Sequence, residues 1–219
     1  MKKWIIFDAM GVIFEVGDDT NDLLVPFIQQ RRRISRERIN ELYIEASLGR
    51  ISPERFWNEV GLGAFYPDIQ TEYLDTRLTL DRDFLIVASN LASQYHLGLL
   101  SNDVAEWSIY LRKKHSLEFF DAVIISSIVG CRKPDPKIFE IFLHEAKAAP
   151  ESCIFVDDRH KNLRAAKALG FKVIHFERTP EPDDFTPDAQ VRSFKELEEK
   201  IKDIFHPQTF PAESRIDTD

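Results

Sequence analysis

The sequence predicts an α/β protein, a Rossmann-like doubly wound parallel sheet with an all-helical cap inserted into it. Three observations lead there. Five short apolar runs, rich in β-branched and aromatic residues, are spread along the chain from "WIIF" to "KVIHF". Helical patterns separate the later runs, the alternation expected of a parallel sheet. Residues 15–82 contain no convincing strand and read as consecutive helices.

Taken in order, "WIIF" is a buried strand with no polar alternation. The cap helices follow as "NDLLVPFIQQRRR", "SRERINELYIEASLG", "SPERFWNEVG" and "YPDIQTEYLDTRL". Ser35 and Ser52 are placed as N-caps, and Pro53 fits the first helical position. "HLGLL" is the second strand and "AEWSIYLRKKH" its helix. "AVIIS" is the third, followed by "DPKIFEIFLHEAKA", which Asp135 caps and Pro136 opens. "CIFV" is the fourth strand, and "KNLRAAKALG" ends on Gly170, a residue suited to a helix C-terminus. "KVIHF" is the fifth, and "SFKELEEKIKDIF", capped by Ser193, closes the fold. The expected division is a core of residues 1–14 and 83–205, a cap of 15–82 and a loosely held polar tail of 206–219.

In an open α/β sheet, ligands bind at the carboxyl ends of the strands. The first strand ends in Asp8 and the second in Ser101 and Asn102. The loop after the third carries Lys133, and the fourth ends in Asp157 and Asp158, with Asn162 soon after. Each alone is a weak signal: Asp103 reads as a helix cap, and Lys133 alone reads as a solvated loop residue. Together they fall on one edge of one sheet. Three carboxylates against one lysine call for a cation, and oxygen ligands at such a site favour Mg²⁺. A hydroxyl, backbone N–H groups at a helix start and an ammonium form a phosphate cradle, and a carboxylate held against it is a candidate nucleophile.

These segments resemble the haloacid dehalogenase-like hydrolase superfamily over nearly the whole chain. "FDAMGVIF", "LLSND", "RKPDPKIF" and "IFVDDRHKNLRAAKALG" resemble its four motifs in order and spacing, the last in its magnesium-dependent phosphatase form. The resemblance implies that Asp8 is the nucleophile, becoming an aspartyl-phosphate. Ser101 and the Asn102 backbone would hold the transferring group, and Lys133 would neutralise charge. Asp8, Asp158 and the Met10 carbonyl would bind Mg²⁺. Asp157 would act through water or as the partner of Lys133, and Asn162 would steady the metal loop. The departure is Met10, where the family's phosphatases carry a second Asp that protonates the leaving oxygen.

The implied function is Mg²⁺-dependent hydrolysis of a phosphomonoester or an acyl phosphate, with the general acid missing or relocated. The alternatives are a non-catalytic module binding Mg²⁺, phosphate or a protein, and a haloacid dehalogenase. The intact Asp157–Asp158 pair argues against the dehalogenase. A receiver-type phosphoacceptor is set aside because its acidic pair follows the first strand. A formal charge of −8 argues against a nucleic-acid partner, and no apolar run approaches the ~20 residues of a membrane helix. A small phosphorylated substrate and a cytoplasmic location are expected. Cys153 reads as an inert core thiol and Cys131 as a loop residue; Arg50 and Trp57 read as a surface cation and a cap-core aromatic. The run "RRR" at 31–33 reads as a solvated helix end.

Overall fold

The computed structural model describes residues 2–180 and 183–206. Strand β1 (Trp4–Phe7) is followed by a π-helical turn (Thr20–Leu24) and helices α1 (Val25–Gln29), α2 (Arg36–Ser47), α3 (Pro53–Glu59) and α4 (Asp68–Arg77). Helix α5 (Arg82–Ala92) then leads into β2 (His96–Ser101), α6 (Ala105–Lys114), β3 (Ala122–Ile125), the short α7 (Ser126–Val129) and α8 (Pro136–Ala146). The chain closes with β4 (Cys153–Asp157), α9 (His160–Ala168), β5 (Lys172–Phe176), β6 (Ala189–Val191) and α10 (Phe194–Phe205).

The six strands form one sheet in the order β3-β2-β1-β4-β5-β6, and every pairing is parallel. The chain winds outward one way from β1 and the other way from β4. The crevice between these neighbours is therefore the topological switch point. Register aligns the strand ends there: Phe7 lies opposite Leu99 on one side and Val156 on the other. Asp8 and Asp157 thus leave the sheet at the same level.

Alternation along β1 sorts the core into two layers. Ile5 and Phe7 pack with Phe84 of α5, Leu111 of α6 and Leu197 of α10, while Trp4 and Ile6 pack with Phe139 and Phe142 of α8 and Leu163 of α9. The helices between β1 and α5 carry their own aromatic cluster. Phe56, Trp57 and Tyr73 pack edge-on or tilted against Trp107 of α6, with ring centroids 5.6–6.1 Å away. Polar bonds join the same faces: Gln70 accepts from Trp107 Nε1 at 2.6 Å, and Ser126 Oγ donates to Ser47 O at 2.5 Å.

The expected caps form. Ser35, Ser52, Asp135 and Ser193 accept from the backbone N–H of Arg38, Arg55, Lys137 and Glu196, and Gly170 takes a left-handed φ of +98°. Several details differ from the sequence reading. Helix α5 and edge strand β6 are additional elements. The third strand ends one residue early because Ser126 opens α7. Asp103 does not cap α6: Val104 is the N-cap, and Asp103 Oδ1 accepts from its N–H at 2.7 Å. Cys131 is a loop residue, as expected, but its side chain is buried in the core with that of Cys153, and burial pushes the Cys153 thiol up to about 11. Trp57 is fully buried, and Arg50 pairs with Glu45 at 2.8 Å. Arg31 donates to the carbonyl of Phe27 at the end of α1, as a helix-end cation should. Of the tail expected at 206–219, all but His206 lies outside the described residues. Among the described residues, no helix is long and apolar enough to cross a membrane.

Candidate active site

Each polar residue at the crevice is delivered by an apolar strand that the core fixes. Asp8 follows β1, and its backbone N–H donates to Val156 O at 2.9 Å, continuing the ladder one residue past the strand. Its Oδ1 accepts from Ala9 N at 2.7 Å and lies 2.8 Å from Lys133 Nζ. Among the described residues no hydrogen bond is made to Oδ2. The loop turns back at Gly11, with φ +78°, a conformation glycine adopts at no steric cost. Arg178 braces that turn, donating to the carbonyls of Gly11 and Val12 at 3.1 and 3.0 Å while pairing with Asp81 at 2.7 Å.

Lys133 is buried between two carboxylates, at 2.8 Å from both Asp8 and Asp157. Burial works to lower its pKa, but Asp157 and Asp8 outweigh that and raise it, so the ammonium stays charged. The Asn102 side chain sets its backbone: Nδ2 donates to Lys133 O at 2.9 Å and Oδ1 accepts from Lys133 N at 2.8 Å. Asp157 is fully buried and saturated, by Lys133, the Arg159 N–H at 2.8 Å and Asn162 Nδ2 at 3.1 and 3.0 Å to its two oxygens. It is the lysine's partner more than an open ligand.

Carboxylate oxygens of Asp8, Asp157 and Asp158 lie within 4.8 Å of one another. Burial, with Asp157 adding repulsion against the pull of Lys133, raises Asp8 to about 7. Burial, then Asp157 and Asp8, raise Asp158 to about 8. The donor set therefore lacks positive charge, and a hard divalent cation with oxygen preference fits it. Two glycines make room for the Asp158 carboxylate: a Cβ on Gly11 would come 2.3 Å from its Cγ, and one on Gly17 2.1 Å from its Oδ2.

A cleft of about 330 Å³ opens over these groups. Met10 lines it, as do Ser101, Asn102, Asp158 and Asn162 from the core, and Asp18, Asp19, Asn40 and Tyr43 from the cap side. Three buried polar atoms of its wall, Ser101 Oγ, Asn40 Oδ1 and Asn162 Oδ1, have no hydrogen-bond partner among the described residues, an arrangement that calls for a polar ligand.

The structure thus brings together all the residues singled out in the sequence: Asp8, Met10, Ser101, Asn102, Lys133, Asp157, Asp158 and Asn162. It adds Arg178 behind the Asp8 loop and Arg132 on the cleft wall, where Arg132 hydrogen-bonds Ser47 Oγ. It also adds a chain beneath the Asp158 loop: Asp183 to His160 at 2.7 Å, His160 to His175 at 3.1 Å, and His175 to Asp158 O at 3.2 Å. The adjacency of Arg132 to Lys133 was a signal for one of these. His160, two residues after Asp158 in the fourth motif, was another; Arg178, His175 and Asp183 come from later in the chain, and local sequence carries no mark of them.

Comparison with known proteins bears on the fold and on the family. The chain is 26% identical over 188 residues to D-ribitol-5-phosphate phosphatase of Bacteroides thetaiotaomicron, covering 78% of this chain and 90% of that protein. Its fold matches a HAD phosphatase from Thermococcus onnurineus with a TM-score of 0.72 at 22% identity, over 91% of this chain and 97% of that one. It also matches a HAD family enzyme from B. thetaiotaomicron, solved with magnesium and inorganic phosphate, with a TM-score of 0.69 at 19% identity, over 84% and 98%. Likeness at such identities speaks for the fold alone, but the family model for haloacid dehalogenase-like hydrolases matches residues 2–170, and the chain belongs to that family.

Proposed function

We propose that the chain is a Mg²⁺-dependent phosphatase that hydrolyses a small phosphorylated molecule through an aspartyl-phosphate on Asp8. The observation that carries this reading is the buried cluster of Asp8, Asp157 and Asp158 around Lys133, beside the unpartnered hydroxyl of Ser101. Asp8 Oδ2 attacks phosphorus while Oδ1 stays tied to Ala9 N and Lys133. Ser101 Oγ and the Lys133 ammonium receive the phosphoryl oxygens. Asp8 and Asp158, with the Met10 carbonyl, are the groups that would hold Mg²⁺; when bound it offsets charge between nucleophile and phosphate. Asp157 and Asn162 keep Lys133 and the metal loop in position. The cleft wall is largely polar and its volume of about 330 Å³ suits a compact, hydroxyl-bearing phosphate ester. The phosphatase named among the relatives acts on one such ester.

The test is covalent. Incubation with acetyl phosphate and Mg²⁺, followed by intact mass spectrometry, is expected to give a single phosphoryl adduct, lost in Asp8→Asn. An adduct that persists in that variant, or its absence from the native chain together with no phosphate release, overturns the reading. A non-catalytic module would bind Mg²⁺ without forming the adduct.

A further inference from the structure

We propose that Asp19 is the acid–base group of this site, giving a proton to the leaving oxygen in the first half-reaction and taking one from water in the second. The inference rests on the phosphatase reading and supplies what Met10 removes. A thioether two residues after the nucleophile has no proton to give, and Met10 is buried against the core while lining the cleft. The acid must then come from elsewhere on the cleft wall.

Among the carboxyls and the tyrosine of the cleft wall, elimination leaves one group. Asp8 is the nucleophile and Asp158 a ligand. Tyr43 donates its hydroxyl to Asn102 O at 3.3 Å, and burial, aided by Asp19 and Asp103, raises it well above an ordinary tyrosine. Asp18 is taken: its carboxylate accepts from Asn21 N and Nδ2 at 3.1 Å and pairs with Arg159 at 3.4 Å. Burial works upward on Asp18, but these bonds outweigh it and hold the group ionised, below the usual carboxylate range. Asp19 stands immediately before the π-helical turn, where the chain passes from the nucleophile loop to the cap, and its side chain makes no capping bond. It shares the cleft wall with Met10 and Ser101. Its charge acts on Tyr43, whose hydroxyl reaches the residue next to Ser101, and on Asp103, which also senses Asp8.

The chemical environment matches the role. Burial first, then the charge of Asp18, push Asp19 up to about 7, against the pull of the Thr20 amide, Arg132 and Arg159. Two adjacent carboxyls are thus driven apart, one kept ionised and one able to carry a proton near neutrality, the pattern that marks acid and base assignments. As Asp8 Oδ2 bonds to phosphorus, the phosphorus–ester oxygen bond breaks and the Asp19 proton moves to that oxygen, releasing the alcohol. The Asp19 carboxylate then accepts a proton from water as water oxygen bonds to phosphorus. The Asp8–phosphorus bond breaks, inorganic phosphate leaves, and both carboxyls return to their starting states.

The experiment compares native chain and Asp19→Asn, each with Mg²⁺, on phosphate esters running from p-nitrophenyl phosphate to an alkyl phosphate. The slope of log(kcat/KM) against leaving-group pKa is read alongside the acetyl phosphate adduct. Native chain is expected to give a shallow slope. Asp19→Asn is expected to give a steep one, with the alkyl ester slowed by ~10²–10⁴-fold and the Asp8 adduct accumulating because its hydrolysis lacks a base. Should Asp19→Asn lose its cooperative melt, the same series is run on Asp19→Ser. A folded variant that forms the adduct and keeps the native slope overturns the role of Asp19 and leaves the phosphatase reading standing. No adduct and no phosphate release from native chain overturns both.

Discussion

Among single residues, Asn162 offers the cleanest probe of how the site is held. Its amide donates to both oxygens of Asp157 at 3.1 and 3.0 Å, and Asp157 in turn fixes Lys133. Asn162→Ala leaves a buried carboxylate short of donors beside Asp8 and Asp158, the proposed metal ligands. Loss of a partner of this kind typically lowers metal affinity by ~10–100-fold, and titration calorimetry with Mg²⁺ on both chains measures it; equal affinities would remove Asn162 from the support of the proposed metal site. Residues of this kind were legible in the sequence for a simple reason. Asp8, Ser101, Asp157 and Asp158 each end or follow an apolar strand, so the strand alone delivers them to one edge, and Asn162 lies one helical turn on. Asp19 was not legible. No apolar strand delivers "GDDT" to the site, and only the packing of the cap side against the core separates the environments of Asp18 and Asp19. Arg178 was hidden likewise, since its three partners lie 97 or more positions away in sequence.

At the level of elements, the site depends on two segments that approach the β4 loop closely. A Cβ on Gly17 would come 2.1 Å from Asp158 Oδ2. That oxygen ends a rotatable side chain, so Gly17→Ala is absorbed by turning the carboxylate away instead of by unfolding. Gly17 has no left-handed φ, so backbone strain adds nothing. The expected outcome is a melting temperature close to native with Mg²⁺ affinity reduced by ~10-fold or more, comparable to losing a supporting partner. A large drop in melting temperature with unchanged affinity would mean that the fold, not the carboxylate, absorbs the clash. The same scale shows where the sequence runs out. Central strands and capped helices were legible because burial on both faces and a Ser or Asp cap leave marks in a short window. Strand β6 left none: it is three residues at the sheet edge, "AQV", with only Val191 buried. Helix α5 was missed because its apolar face, Phe84, Val87, Ala88 and Leu91, falls where the cap rejoins the core, and a helix there does not interrupt the alternation around it.

The whole molecule places an excess of carboxylate at the seam between its two halves, so its stability should follow pH and metal together. In the metal-free chain, burial and mutual repulsion raise Asp8 and Asp158 from 3.8 to about 7 and about 8. A carboxyl whose folded pKa lies above its unfolded value contributes stability that is fully present below the unfolded value and lost as pH rises through the folded one. The loss therefore falls between about 4 and 8 and is steepest near the upper end. Lys133 does not offset it, because its raised pKa keeps it charged across that window in both states. Asp18 is held low, so its contribution is lost only on going more acid. Melting in EDTA is thus expected at a lower temperature at pH 8.5 than at pH 5.5. A chain of this size shifts by roughly 2–4 °C per kcal/mol, so a fall of about 4 °C corresponds to about 1–2 kcal/mol. Mg²⁺ competes with protons for the same oxygens. At a hundredfold excess over its dissociation constant, it adds ~2.7 kcal/mol, and the rise in melting temperature should be larger at pH 8.5, where the carboxylates must otherwise repel, than at pH 5.5, where protons already hold them. Differential scanning calorimetry at both pH values, with EDTA and with Mg²⁺, measures the four melting temperatures. An equal Mg²⁺ shift at both would mean that the ion binds away from these carboxylates, because only binding at the titrating groups couples the two effects.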